Sequence, residues 1–248
     1  MILVGTMHLD LEGPRRLENL LNRFRPKRIS VECPKGTNQI EVRDSIINHR
    51  RKTQRIIRGM RMPDNYQKQM LEYQEVKAYE IATILDYCRT NRCSAFFVDH
   101  PAIPVTFSCE GFREALESQV KIIPQSSGQP YESLRKRTVE IFDLAYYDLD
   151  LFKQIEEMAR QLTPPDHSES TTNNLSYTEN PFLRTGFEEE RERFMASEIL
   201  GLRPNLHVGG VAHVFEEFKP IMPMDKQLYE LLGDFVTQRI RLCEEPIK

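Results

Sequence analysis

The sequence predicts an α/β fold: a central, mainly parallel sheet flanked by helices, with a helical cap insertion. Short, continuously apolar segments alternate with amphipathic stretches, which is the pattern of strands buried on both faces. Each of these segments stops at or just before a polar, ionisable residue. The chain's 248 residues suffice for one sizeable core, so a single domain over 1–248 is expected.

Taken in order, "ILVGT" at the start is the first strand, and "GPRRLENLLNRF" after it is a short amphipathic helix. "RISVE", ending at Glu32, is the second strand. From about 39 to 92 the chain is helical. That is too long for a simple crossover, so it should hold two or more helices, broken near "RGMRMPD", and serve as the cap. Within it Ile81, Ile84, Leu85 and Cys88 recur at i, i+3, i+4 and i+7, the spacing of one helix face. "SAFFVD" ending at Asp99 is the third strand, and "QVKII" before Pro124 is a weaker candidate. Phe152, Ile155, Ala159 and Leu162 form a stripe in a long helical run from Leu134. Residues from about 163 to 185 are polar and rich in Pro, Asn and Ser, so they read as a surface loop. "LHVGG" is the last strand, and the tail from Asp225 to Glu244 reads as helix after Pro223.

The formal net charge is −3, so no global basic field draws the molecule to nucleic acid, and none is expected as a partner. No apolar run reaches the roughly 20 residues of a membrane helix, and no signal peptide is read at the N-terminus. A cytoplasmic location follows as an expectation. The five cysteines are Cys33, Cys88, Cys93, Cys109 and Cys243, without a CxxC pair. Reduced thiols are expected rather than a disulfide framework.

In a parallel sheet, ligands sit beyond the carboxyl ends of the strands. Past the four best strands those positions hold His8, Glu32, Asp99 and His213. Gly5 and Gly210 precede their histidines by three positions, where glycine lets the backbone turn sharply. Asp99, followed by His100 and Pro101, reads first as a turn or cap residue. Two histidines and a carboxylate are a metal-binding set and equally a general-base site. In "GFEEERERFMASEIL", Phe187, Arg191, Phe194 and Met195 share one stripe, while Arg193 falls on the far side. A guanidinium on an apolar face needs a partner, and Glu32 is the strongest candidate. Glu198, one face-repeat along, would make a purely structural pair. The basic run Arg50, Arg51, Lys52, Arg55, Arg58 and Arg61 reads first as a solvated helix face. His49, His167 and His207 have no motif context.

Gly5-Thr6-Met7-His8, Glu32, Glu190-Arg191 with Met195-Ala196, and Gly209-Gly210 with His213 together resemble the motifs of the TraB/PrgY group. That group belongs to a superfamily with the Tiki proteases, the erythromycin esterases and the ChaN-like haem-binding proteins. The pieces span nearly the whole chain in the family's order. Glu192 stands near a position where the family usually has Asp, and the membrane tail of many members is missing. The resemblance implies a shared polar cleft rather than one reaction, since a fold under-determines function.

The expected function is hydrolysis of a peptide, ester or amide bond in a small-molecule or peptide substrate. His8, Glu32, Arg191 and His213 are the catalytic candidates. His8, Glu32 and His213 are also the candidate ligands of a divalent metal, and Gly5, Thr6, Asp99, Glu190 and Gly210 line the cleft. The alternative is a binding or regulatory protein that captures a peptide, metal or haem in the same place.

Overall fold

The computed structural model describes residues 1–103, 113, 130–162, 186–221 and 225–247. Five strands form one all-parallel sheet in the order β3-β2-β4-β1-β5. They are β1 (Ile2–Thr6), β2 (Arg28–Pro34), β3 (Ser94–Asp99), β4 (Leu206–Gly210) and β5 (Gln238–Arg241). The first four fall where the apolar segments predict.

The helices are α1 (Gly13–Phe24), α2 (Gln39–Arg58), α3 (Asp64–Val76), α4 (Tyr79–Asn91), α5 (Tyr131–Ala145) and α6 (Leu149–Leu162). Three more follow: α7 (Phe187–Leu202), α8 (Val211–Val214) and α9 (Leu228–Leu232). The expected break in the helical insertion occurs after Arg58, where Gly59 follows α2. Asn38 caps the start of α2, its side chain accepting from the backbone N–H groups of Ile40 and Glu41. α4 packs on β2, β3 and α1, so this part of the insertion covers the sheet itself, while α2 and α3 pack on each other. α7 packs on β3 and against α9.

The tail departs from expectation. Only Leu228–Leu232 is α-helical, and Gly233, at φ 47°, ends it. The chain then enters β5, which pairs with β1 in register Ile2↔Gln238 through Gly5↔Arg241. An edge strand this short, with half its residues exposed, carries too little apolar pattern to be told from a helix end. The weak "QVKII" strand and the polar loop lie outside the described residues. The long run from Leu134 is two helices, broken at Tyr146–Asp148, with Phe152 and Ile155 buried on the second.

Three helices that feed parallel strands end alike. Arg25 after α1, Arg92 after α4 and Arg203 after α7 all adopt the left-handed conformation. Past Arg92, Cys93 lies beside Cys88, their Cα atoms 4.4 Å apart, and the two are bonded as a disulfide. The expectation of reduced thiols therefore fails for this pair. Scattered spacing does not show that a helix end folds residues five apart onto each other. Cys33 and Cys243 are free thiols.

In α2, Arg50 is half-buried and donates to the Lys77 carbonyl. Arg51, Lys52, Arg55, Arg58 and Arg61 face solvent. His49 is buried beside Lys77.

Candidate functional site

Period-two alternation along β2 puts Ile29, Val31 and Cys33 on one face, and Ser30 and Glu32 on the other. Ser30 sits opposite His207 in the ladder, with Oγ 2.9 Å from Nδ1. Two residues further along, β4 has Gly209 in place of a side chain. A Cβ there would lie 2.9 Å from His207 Nε2 and 3.1 Å from Glu32 Oε2. The bare backbone thus lets the Glu32 carboxylate lie close against β4. Glu32 Oε2 accepts the Gly210 N–H at 2.7 Å, and Oε1 lies 3.2 Å from His213 Nε2.

At Gly5 the missing Cβ works by close approach. Neither Gly5 nor Gly210 has a positive φ. At Gly5 a Cβ would meet Phe215 Cε2 at 2.8 Å. The expected sharp turn at Gly5 is corrected to tight packing, while at Gly210 a Cβ would make only an ordinary 3.4 Å contact with His213 Cδ2. Gly209→Ala should destabilise the chain by about 1–3 kcal/mol, the usual range for overpacking, because both neighbours are held by hydrogen bonds. An unchanged urea midpoint would show that Glu32 and His207 can move aside.

Arg191 reaches the same place from α7. Nε and Nη2 donate to the two oxygens of Asp99, each at 2.8 Å. Nη2 also donates to Glu32 Oε1, and Nη1 lies 3.5 Å from Glu188. Asp99 additionally accepts the His100 N–H at 2.7 Å, so it is both a turn residue and part of the site. Arg193 faces water and pairs with Glu189. The structural partner considered for Arg191, Glu198, pairs with Lys35 instead.

His213 is clamped from both sides. Nε2 faces Glu32, and Nδ1 faces Glu192, which is wholly buried. Two carboxylates on two ring nitrogens require a proton on each nitrogen. Burial alone would lower the His213 pKa, but Glu32 and Glu192 outweigh it and hold it up to about 10. Burial would likewise raise Glu32, yet His213 and Arg191 keep it well below the ordinary carboxylate value. His207, also fully buried, is pushed down to about 4 by desolvation, so it is neutral beside a charged cluster.

His8 stands at the same end of the sheet, two residues past β1, with a side chain 60% exposed. Its Nδ1 is 3.0 Å from Glu80 Oε1 on α4. Thr6 Oγ1 is 3.1 Å from both Glu80 Oε1 and the Gly209 carbonyl, so its single proton serves one or the other. Glu190 lies outside the cluster, 3.7 Å from His100 Nε2.

The expected metal trio of His8, Glu32 and His213 does not fit a cation in this arrangement. Glu32 is engaged by three donors, and both His213 nitrogens face carboxylates. A metal ion would sit against the Arg191 guanidinium. No group of three or more His, Cys, Asp or Glu side chains that could hold a metal occurs among the described residues.

Glu192, Glu80 and His207 belong to the site and are absent from the sequence-predicted set. Glu192 had a signal of the same kind as Arg191. It shares its stripe with Met195, Ala196 and Ile199, all buried. Glu80 likewise shares a face with Ile84 and Tyr87. His207 alternates in phase with Gly209, which a strand-end reading passes over. No protein-family model, curated protein or solved structure matches the chain. No helix among the described residues is long and apolar enough to cross a membrane.

Proposed function

We propose that the chain is a hydrolase in which His8 acts as general base on water. The observation that carries this is the pairing of an exposed histidine with a buried carboxylate: His8 Nδ1 is held by Glu80, whose Oε1 also lies within hydrogen-bond reach of Thr6 Oγ1. With the Nδ1 proton given to Glu80, Nε2 carries the lone pair that takes a proton from water. Glu80 stabilises the imidazolium that results, as the carboxylate of a catalytic dyad does. The attacked bond is a peptide, ester or amide, in keeping with the resemblance to the TraB/PrgY group.

Arg191, Glu32 and His213 support this chemistry rather than perform it. His213 is already protonated between two carboxylates and is a poor base. Arg191 spends Nε and Nη2 on Asp99 and Glu32, and Nη1, with its 3.5 Å contact to Glu188, is the donor best placed for a substrate oxygen. A second reading, capture of a ligand without turnover, is favoured by this same saturation of Arg191.

His8→Ala should lower hydrolysis of a panel of nitrophenyl esters and peptide anilides by about 10²–10⁴-fold. Its stability should change by less than about 0.5 kcal/mol, since the side chain is exposed. Glu80→Gln should lower the same rates while keeping the hydrogen bond. Turnover equal to the parent in both variants would leave the binding reading standing.

A further inference from the structure

At the end of β3 opposite Asp99 lies an open groove of about 570 Å³, lined among others by Ile40, Arg43, Asp44, Arg89 and the Cys88–Cys93 pair. Both cysteines are partly exposed. They meet because of how α4 ends. The N–H groups of Arg92 and Cys93 both turn back to the Cys88 carbonyl, with Arg92 left-handed. In such helix ends the side chain of the residue just past the left-handed one touches that of the residue five before it. Here those two contact positions are both cysteine.

The backbone turn supplies the juxtaposition through its own hydrogen bonds, so the helix end does not depend on the S–S bond. The bond closes a loop only five residues apart in sequence, where the constraint on the unfolded chain is small. Accessible bonds of this kind are the exchangeable ones. The free thiols differ. Burial pushes Cys33 up to about 12 and Cys243 up to about 11, so both are protonated and unreactive near neutrality.

We propose that Cys88 and Cys93 form a reversible dithiol–disulfide site that exchanges with small thiols bearing carboxylates. The groove supplies the recognition. Arg89, whose side chain is 67% exposed, and Arg43 share Asp86 and line the same groove as the two sulfurs. In the exchange, an incoming thiolate attacks one cysteine Sγ. The S–S bond breaks, its electron pair leaves on the other Sγ, and solvent protonates that thiolate. A second thiol attacks the mixed disulfide, giving the dithiol and the oxidised small thiol. The reverse sequence, starting from the oxidised small thiol, restores the bond.

The test is equilibration of the full chain in glutathione buffers of graded reduced-to-oxidised ratio, with acid quenching, alkylation and peptide mass mapping. Cys88 and Cys93 should pass together between bonded and dithiol forms, with the circular dichroism unchanged. In Cys88→Ser, Cys93 should be trapped as a mixed disulfide with glutathione. Arg89→Gln should slow exchange with glutathione by about threefold or more, while leaving exchange with neutral 2-mercaptoethanol unaltered. A pair that stays bonded, or stays reduced, across the whole series would overturn the site. An Arg89→Gln effect that is equal for both thiols would overturn the carboxylate preference.

Discussion

Arg191→Ala is expected to destabilise the chain by about 3–5 kcal/mol, the range for breaking a buried ion pair by removing one member. The substitution strands Asp99, which is buried, and Glu32, which is mostly buried, leaving His213 as the cation against Glu32. Desolvated carboxylates without their guanidinium carry the penalty, rather than the loss of attraction alone. Arg193→Ala, about half a turn away and pairing on the surface, should stay within about 0.5 kcal/mol. Denaturant midpoints of the two variants make the comparison. Equal effects would mean that the Arg191 cluster rearranges to satisfy its acids without the guanidinium.

Stability should also fall as the solution is made alkaline, through His213. Its folded pKa, about 10, lies above the ordinary value of 6.5. The folded chain therefore binds this proton more tightly than the unfolded chain. The contribution is present in full below about pH 6.5 and declines as pH rises toward 10, beyond which it is gone. Each tenfold in proton affinity is worth ~1.4 kcal/mol, so several kcal/mol are at stake. His207 has the opposite sign. With a folded pKa of about 4, its contribution is present above pH 6.5 and is lost as pH falls toward 4. Together they place the optimum near pH 6.5. His213→Gln should flatten the alkaline limb and leave the acid limb in place. Denaturant midpoints measured from pH 4 to 10 decide this, and an alkaline limb that persists in His213→Gln would sink the assignment.

The sheet was legible because β1 to β4 are parallel strands buried on both faces, and such strands announce themselves as unbroken apolar runs. β5 was not, because a four-residue edge strand has one buried side chain to show for its pattern, Ile240. Arg191 and Glu32 were legible as charges in apolar company. The same rule reaches Glu192 and Glu80, but Glu192 closes the acidic run Glu188-Glu189-Glu190, which masks its periodicity, and Glu80 stands in the first turn of its helix, where an acid is ordinary. Gly5 was located correctly and explained wrongly. Sequence shows that a Cβ is missing and is silent on whether the reason is a dihedral angle or an approaching side chain.

The three left-handed arginines have a practical bearing on all of these variants. A non-glycine residue in that conformation carries roughly 1–2 kcal/mol of steric cost that glycine escapes. Arg25, Arg92 and Arg203 precede the adjacent strands β2, β3 and β4, and the turns after them are hydrogen-bonded to one another, Ser94 to Lys27 and Asn205 to Arg28, so their effects are expected to couple rather than add. Glycine at all three would raise the thermal margin of the chain without touching the polar cluster. In that background even an Arg191 variant, which could otherwise be too unstable to purify, would remain folded long enough to be assayed.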